Sequence, residues 1–353
     1  MSDRLKLRRG VVVDEDPLTV EIGGERRPAW ADEALLGEMR EGDEVVVNVA
    51  ALDLGLGSGG FDVVHVNLTR GLDAEPDGDV HVMKLNYTSL QHPILPVEGE
   101  LDRPDSQGRN AFSMDGIEKA LRPGFVALVI PLHGHLAPAV WAAKQVDPEA
   151  RIGYVQTGGG ALPGSFSRDV AELRERGLLA GHVTAAPAYG GEHEALSVAG
   201  AIDAAAGRLG WDIVVVGPGP GIIGSGTGLG HGGMAALDNA HASLALGLRT
   251  VLSPRLSGRD PRERHRPVSH HTLTVLRMLL APADVAVPAG DSRARTALVE
   301  AAGSRHRLRE APADLAGYAA SGLSARTMGR TIEDDPLFFA AALAAGAALR
   351  DKG

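Results

Sequence analysis

The chain has 353 residues and no cysteine, which excludes a disulfide framework, a cysteine zinc site, an iron–sulfur cluster and a thiolate nucleophile. It also lacks an excess of positive charge. The 35 Lys+Arg stand against 45 Asp+Glu, a formal charge of -10, and general nucleic-acid binding needs a basic face to displace counterions. That balance leaves room for a local anion site. No apolar run is long enough to cross a membrane: the longest, residues 337–349, falls short of the ~20 residues needed. The first nine residues are charged and hold no apolar leader segment, so a cytoplasmic protein is expected. Three reaction signatures are missing too. There is no Gly-Lys-Ser/Thr of an ATPase phosphate loop, no Gly-x-Ser-x-Gly hydrolase elbow, and no His-Glu-x-x-His metal helix.

What is present divides into three stretches. Residues 1–85 read as a small β domain of short period-2 strands joined by glycine turns, at 10–13, 18–22, 44–49 and 61–66, consistent with a small barrel. Residues 86–124 are a connecting segment broken by prolines, with one short helix expected over 113–121. From residue 125 the pattern becomes strand, glycine-rich loop, helix. Strands are expected at 126–130, 151–156, 182–186, 212–216, 249–252, 283–287 and 306–309. Helices are expected at 138–146, 167–176, 192–209 and 235–246. This alternation predicts an α/β fold with a parallel, Rossmann-like sheet over 125–353, and such sheets bind ligands beyond the carboxyl ends of their strands. A C-terminal helix over 336–349 starts with Asp335 as N-cap and Pro336 in the first turn. It packs on its own domain or supports a homo-oligomer.

The densest motif spans residues 217–233, where nine of seventeen residues are glycine. It follows the fourth strand of the α/β domain and precedes a helix. Gly217, Gly219, Gly221, Gly224, Gly226 and Gly228 bring backbone close to a ligand, and Ser225 and Thr227 add hydroxyls. An anion-binding loop is the favoured reading and a tight structural loop the alternative. The dinucleotide spacing is matched, but the helix begins too late and no acid ends the next strand. Gly158, Gly159 and Gly160 form a second close-approach loop.

Histidines gather in loops after strands. His133 and His135 follow the first strand, His231 sits in the glycine loop, and His270 and His271 close an arginine-rich segment. Such histidines serve as acids, bases or metal ligands near neutral pH. A metal remains open, although adjacent His270 and His271 are not expected to face one way. Residues 255–266 hold five arginines against Asp260 and Glu263. Arg262, Arg264 and Arg266 are the candidates for clamping phosphate or carboxylate, with internal ion pairing as the alternative.

Four stretches together carry a resemblance: Gly158-Gly-Gly-Ala-Leu-Pro163, Gly217-Pro-Gly-Pro-Gly221 with Gly226-Thr-Gly228, Asp260-Pro-Arg-Glu-Arg-His-Arg266 and Ser269-His-His-Thr272. The chain resembles the uncharacterised bacterial family called domain of unknown function 3866, which implies no activity. His133-Gly-His-Leu-Ala-Pro138 also looks like the first loop of two-lobed nucleotide-sugar transferases, but those need two full lobes and this chain has room for one. The expected function is an enzyme acting on a small anionic metabolite that bears phosphate or carboxylate, nucleotides being one candidate class, with the reaction and any cofactor unassigned. A non-catalytic sensor or partner-binding protein is the alternative, and a structural oligomer the third.

Overall fold

The computed structural model describes residues 4–56, 59–72, 80, 82–99 and 124–350. The chain forms two compact units, Met1–Val80 and His81–Gly353. The helix expected over 113–121 lies outside the described residues.

In the first unit, β1 (Leu7–Glu15), β2 (Leu18–Ile22), β3 (Glu25–Trp30), β4 (Glu44–Asn48) and β5 (Asp62–Asn67) form a closed barrel. Short helices α1 (Glu33–Leu36) and α2 (Ala50–Asp53) fill two of the connections. The order is β1-β2-β3-β5-β4, with β3 and β5 parallel and every other pair antiparallel. Period-2 alternation sends Val12, Val20, Val45, Val47 and Val64 inward as the barrel core. The β2–β3 hairpin turns on Gly23 and Gly24, at φ +63 and +86, the positive values that a primed two-residue turn needs. Arg27 ties the barrel together, reaching Asp62 at 2.6 Å and Asp53 at 2.8 Å.

The second unit opens with a hairpin of β6 (Val82–Lys84) and β7 (His92–Ile94). Its main body follows as β8 (Val126–Val129), α3 (Leu136–Val146), β9 (Ile152–Thr157), α4 (Arg168–Glu175), β10 (Gly181–Ala185), β11 (His193–Ala195) and α5 (Val198–Gly207). Then come β12 (Ile213–Pro218), α6 (Ala235–Ala245), β13 (Arg249–Leu252), α7 (His270–Met278), β14 (Asp284–Pro288), α8 (Ser292–Ala302), β15 (Arg307–Ala311) and α9 (Leu315–Ala320). A two-stranded ribbon, β16 (Arg326–Thr327) and β17 (Arg330–Thr331), leads to α10 (Pro336–Ala347). Eight strands make one all-parallel sheet in the order β11-β10-β9-β12-β8-β13-β14-β15. The fold is therefore α/β, a Rossmann-like parallel sheet preceded by a β-barrel. Strands β8 and β12 are buried along their whole length, as continuous Val-rich runs in a doubly covered sheet should be.

Helices α3, α4, α9 and α10 cover one face of the sheet, and α5, α6, α7 and α8 the other. Two sequence expectations change here. The helix expected over 192–209 is shorter, because His193–Ala195 pairs with β10 as an edge strand and Ser197 caps α5 by accepting from Gly200 N. Glu194 is held in that strand by Thr184 Oγ1 and by the buried Lys84 ammonium. The homo-oligomer held open as the alternative for residues 336–349 finds no support, since α10 is enclosed within its own unit. Phe338, Phe339 and every residue from Ala340 to Gly346 are buried. Asp335 does not cap the helix with its side chain.

Gly346 explains how closely α10 lies on α3. A Cβ placed there would meet the Ala139 carbonyl oxygen at 2.0 Å. Glycine to alanine inside a helix ordinarily stabilises by about 1 kcal/mol. Gly346→Ala is expected to reverse that sign and cost about 1–3 kcal/mol. Urea unfolding measures it, and an unchanged or raised midpoint would contradict the close packing of α3 and α10.

Candidate functional site

The sheet order fixes where a ligand can enter. Strand β8 leads into α3 on one face, while its neighbours β12 and β13 lead into α6 and α7 on the other. Connections that diverge to opposite faces leave a crevice at the carboxyl ends of the strands. A cleft of about 710 Å³ lies there, lined from the loops after β8, β12 and β13 and from the β16–β17 ribbon. A second cavity of about 760 Å³ opens at the opposite, amino ends of the strands, around Phe125, Trp211 and Leu349. Its lining holds no histidine among the described residues, and its Arg350 is paired with Asp147. The chemistry therefore points to the carboxyl edge.

The glycine-rich segment has two jobs. Gly221, Gly224 and Gly226 line the cleft, and Gly221 and Gly226 take φ values of +73 and +84. Gly217 and Gly219 do not reach it. A Cβ on Gly217 would sit 2.2 Å from Ile130 Cγ1, and one on Gly219 would sit 2.2 Å from the Ala161 carbonyl oxygen. The Gly158–Gly160 loop is likewise structural: a Cβ on Gly160 would meet the Gly219 oxygen at 2.1 Å, and one on Gly159 the Gly232 oxygen at 2.5 Å. Backbone here approaches backbone rather than ligand. Ser225 and Thr227 are also committed. Their hydroxyls bond each other at 2.9 Å, and Ser225 Oγ donates to the Gly230 oxygen. Gly228 lies outside the cleft lining and offers its carbonyl to His231 Nε2 at 3.1 Å.

His231, His270 and His271 converge on the floor, joined by His265, a residue that sequence reasoning left out of the site. The His231 and His271 rings stack at 3.6 Å, and His265 lies 5.0 Å from His270. Against expectation, adjacent His270 and His271 reach one cluster, their ring centres 4.4 Å apart. They are the first two residues of α7, capped by Ser269, and His231 packs over both. Burial, with Arg255 close by, pushes His271 down to about 2 and His265 to about 3. Both are neutral imidazoles at pH 7.

Arginine surrounds this cluster. Arg255 is buried and donates from Nη1 to His271 Nδ1 at 3.1 Å. Asp260, fully buried, receives Arg262 Nε at 3.0 Å and faces Arg255 at 3.4 Å and Arg330 at 3.6 Å. Arg264 and Arg326 also line the cleft and form no ion pair among the described residues. Arg266 is exposed and lies outside the lining, because the turn Glu263–His265 carries it past the rim. Arg255, Arg326 and Arg330 were not singled out from sequence. The last two stand on a ribbon about 60 residues beyond the motif, which only tertiary structure brings back.

The opposite wall comes from β8 and α4. His133 Nε2 bonds Ser167 Oγ at 2.8 Å and lies 3.8 Å from Asp169 Oδ2. Asp169 and the serine share one ring nitrogen, so this is not a serine-protease relay. Asp169 lines the cleft, and burial with nearby Glu172 pushes its carboxyl up to about 6. His135 is elsewhere: fully buried, its Nδ1 bonds Ser253 Oγ at 2.8 Å and its ring meets Phe338 edge-on. The cue for Asp169 was present in sequence, as a carboxylate in the first turn of a helix after a glycine loop, but nothing marked it above other surface acids.

Two predictions follow from this geometry. Gly219→Ala is expected to unfold or strongly destabilise the second unit, whereas Gly228→Ala, with open space around it, should change stability by under about 0.5 kcal/mol. Equal unfolding midpoints would contradict the backbone crossing. Burial also holds His133 near 4 and both His135 and His182 near 3. Unfolded histidine titrates near ~6.5, so the unfolded chain binds more protons below that pH. The stability these groups contribute is present above ~6.5 and falls as pH drops toward their folded values. Urea midpoints at pH 7 and pH 5 should differ in that direction; equal midpoints would count against neutral burial.

The pattern of the family described as "Protein of unknown function (DUF3866)" matches residues 28–346. No curated protein and no solved structure gives a significant match. Residues 158–163, 217–228 and 260–272, which carried the resemblance, build the crossing loops and much of the cleft described above. The chain belongs to the DUF3866 family.

Proposed function

We propose that this protein is a cytoplasmic bacterial enzyme that takes a small phosphate- or carboxylate-bearing metabolite into the carboxyl-edge cleft and transfers a proton on it. One observation supports this above the others. Five guanidinium groups, Arg255, Arg262, Arg264, Arg326 and Arg330, line a cleft whose only lining carboxylate among the described residues is Asp169. Asp260 and Asp335 offset part of that charge from beneath. Arg264 and Arg326 have no ion-pair partner among the described residues, and their forks fit an anion in bidentate fashion. The neutral imidazoles of the floor supply further polar contacts without adding charge.

The proton-transfer element of the proposal rests on Asp169. A carboxyl raised to about 6 exchanges a proton readily near neutral pH, and it faces the cleft across from the arginines. His133 is the neighbouring group whose hydrogen bond with Ser167 holds that wall together. No helix among the described residues is long and apolar enough to cross a membrane.

Calorimetry with inorganic pyrophosphate and with citrate tests the anion site. Affinity for one of these probes is expected to fall with rising salt and to fall about tenfold in Arg264→Ala and in Arg326→Ala. Asp169→Asn should leave that affinity within about twofold while removing turnover of whatever metabolite mass spectrometry finds carried through purification. Affinity indifferent to salt and to both arginines would end the anion reading. Tight binding of the carried metabolite without turnover would favour a sensor.

A further inference from the structure

The histidine cluster on the cleft floor offers more than an anion contact requires. His231, His270 and His271 each present a ring nitrogen, and the three nitrogens lie within 4.8 Å of one another. They come from two separate segments, the loop after β12 and the first turn of α7. His231 Nε2 donates to the Gly228 carbonyl at 3.1 Å, which places the proton there and the lone pair on Nδ1. A backbone carbonyl holding the second ring nitrogen is the usual support of a metal-ligating histidine.

That Nδ1 is the second observation. It is buried, has no hydrogen-bond partner among the described residues, and belongs to a residue only 8% exposed. It lies close to His271 Nδ1: a Cβ built on Gly233 would be 3.0 Å from one and 2.9 Å from the other. A buried acceptor without a donor destabilises a fold, so it calls for an explanation. One cation already lies at the neighbouring lone pair, since Arg255 Nη1 donates to His271 Nδ1.

We propose that His231, His270 and His271 form a site for a divalent transition-metal ion of the zinc class. Imidazole nitrogen suits such ions, and three histidines leave a fourth tetrahedral position free. Zinc–nitrogen bonds of ~2.1 Å place tetrahedral ligands about 3.4 Å apart. The nitrogens therefore close by roughly 1.4 Å at most, and the His231 and His271 rings, stacked at 3.6 Å, rotate out of parallel so that their in-plane lone pairs meet one ion. Binding displaces Arg255 from His271 Nδ1, and the guanidinium keeps its partner Asp260, now 3.4 Å away. The open position faces the arginine-lined cleft. An anion there both ligates the ion and offsets the crowded positive charge.

The test uses the metal alone, so its outcome does not depend on any anion binding. Metal-stripped full-length protein is titrated with Co²⁺, whose visible absorption reports tetrahedral coordination, and the Co²⁺ is then displaced by Zn²⁺. One ion per chain with tetrahedral bands is expected. His231→Ala and His270→Ala should each weaken binding at least tenfold, with circular dichroism unchanged. Should His231→Ala fail to fold, His270→Ala decides, because its ring is only partly buried. Arg255→Gln should tighten binding several-fold by removing the competing guanidinium. No Co²⁺ binding by the wild-type chain, or binding unaffected in folded His270→Ala, would overturn the site. Unchanged or weaker affinity in folded Arg255→Gln would overturn the assignment of His271 Nδ1 as a ligand.

Discussion

The buried carboxylate of Asp260 is the constraint on which the candidate site depends. Three guanidiniums close on it, from Arg255 and Arg262 on its own loop and from Arg330 on β17. Arg262 and its hydrogen bonds outweigh burial and hold the carboxyl ionised. A buried ion cluster contributes little net stability, but removing one member leaves the others uncompensated. Its effect is therefore positional. It fixes the loop after β13, sets Arg255 against His271, and draws the ribbon of Arg326 and Arg330 over the cleft. Asp335 extends the cluster, accepting from Gly258 N at 2.9 Å and facing Arg330 at 3.3 Å.

The same carboxylate joins the two readings of the arginine segment. Internal ion pairing and a positive cleft looked like alternatives in the sequence. In the structure, pairing engages Arg255, Arg262 and Arg330 and thereby carries Arg264 and Arg326 to the rim without ion-pair partners among the described residues. The glycines divide in a comparable way. Gly159, Gly160, Gly219 and Gly232 let the loops after β9 and β12 cross at backbone distance. That crossing holds Gly221, Gly224 and Gly226 at the cleft.

The fold was legible because periodicity changes at one place in the chain. Alternating valines mark the barrel, and continuous apolar runs followed by glycine loops mark the parallel sheet. Glu192–Leu209 misled because an alanine-rich stretch hides a three-residue edge strand, held by the contacts of Glu194 with Thr184 and Lys84. The site was legible where parallel topology alone sufficed, as for His133, His231, His270, His271, Arg262 and Arg264. It was not legible where a side chain's direction decided. His135 is two residues from His133 yet points into the core against Phe338. Ser225 and Thr227 look like ligand hydroxyls but hold their own loop. Arg326 and Arg330 sit in no motif and arrive through the ribbon.

The central claim is that an anion binds among the arginines and histidines at the carboxyl edge of the sheet. A crystal of the full-length protein soaked in tungstate tests it most directly, since the heavy atom reports its own position. The account predicts an anomalous peak between Arg264, Arg326 and His270. A peak only at the amino-edge cavity near Arg249 and Arg350, or none at a concentration that saturates ordinary phosphate sites, would contradict it.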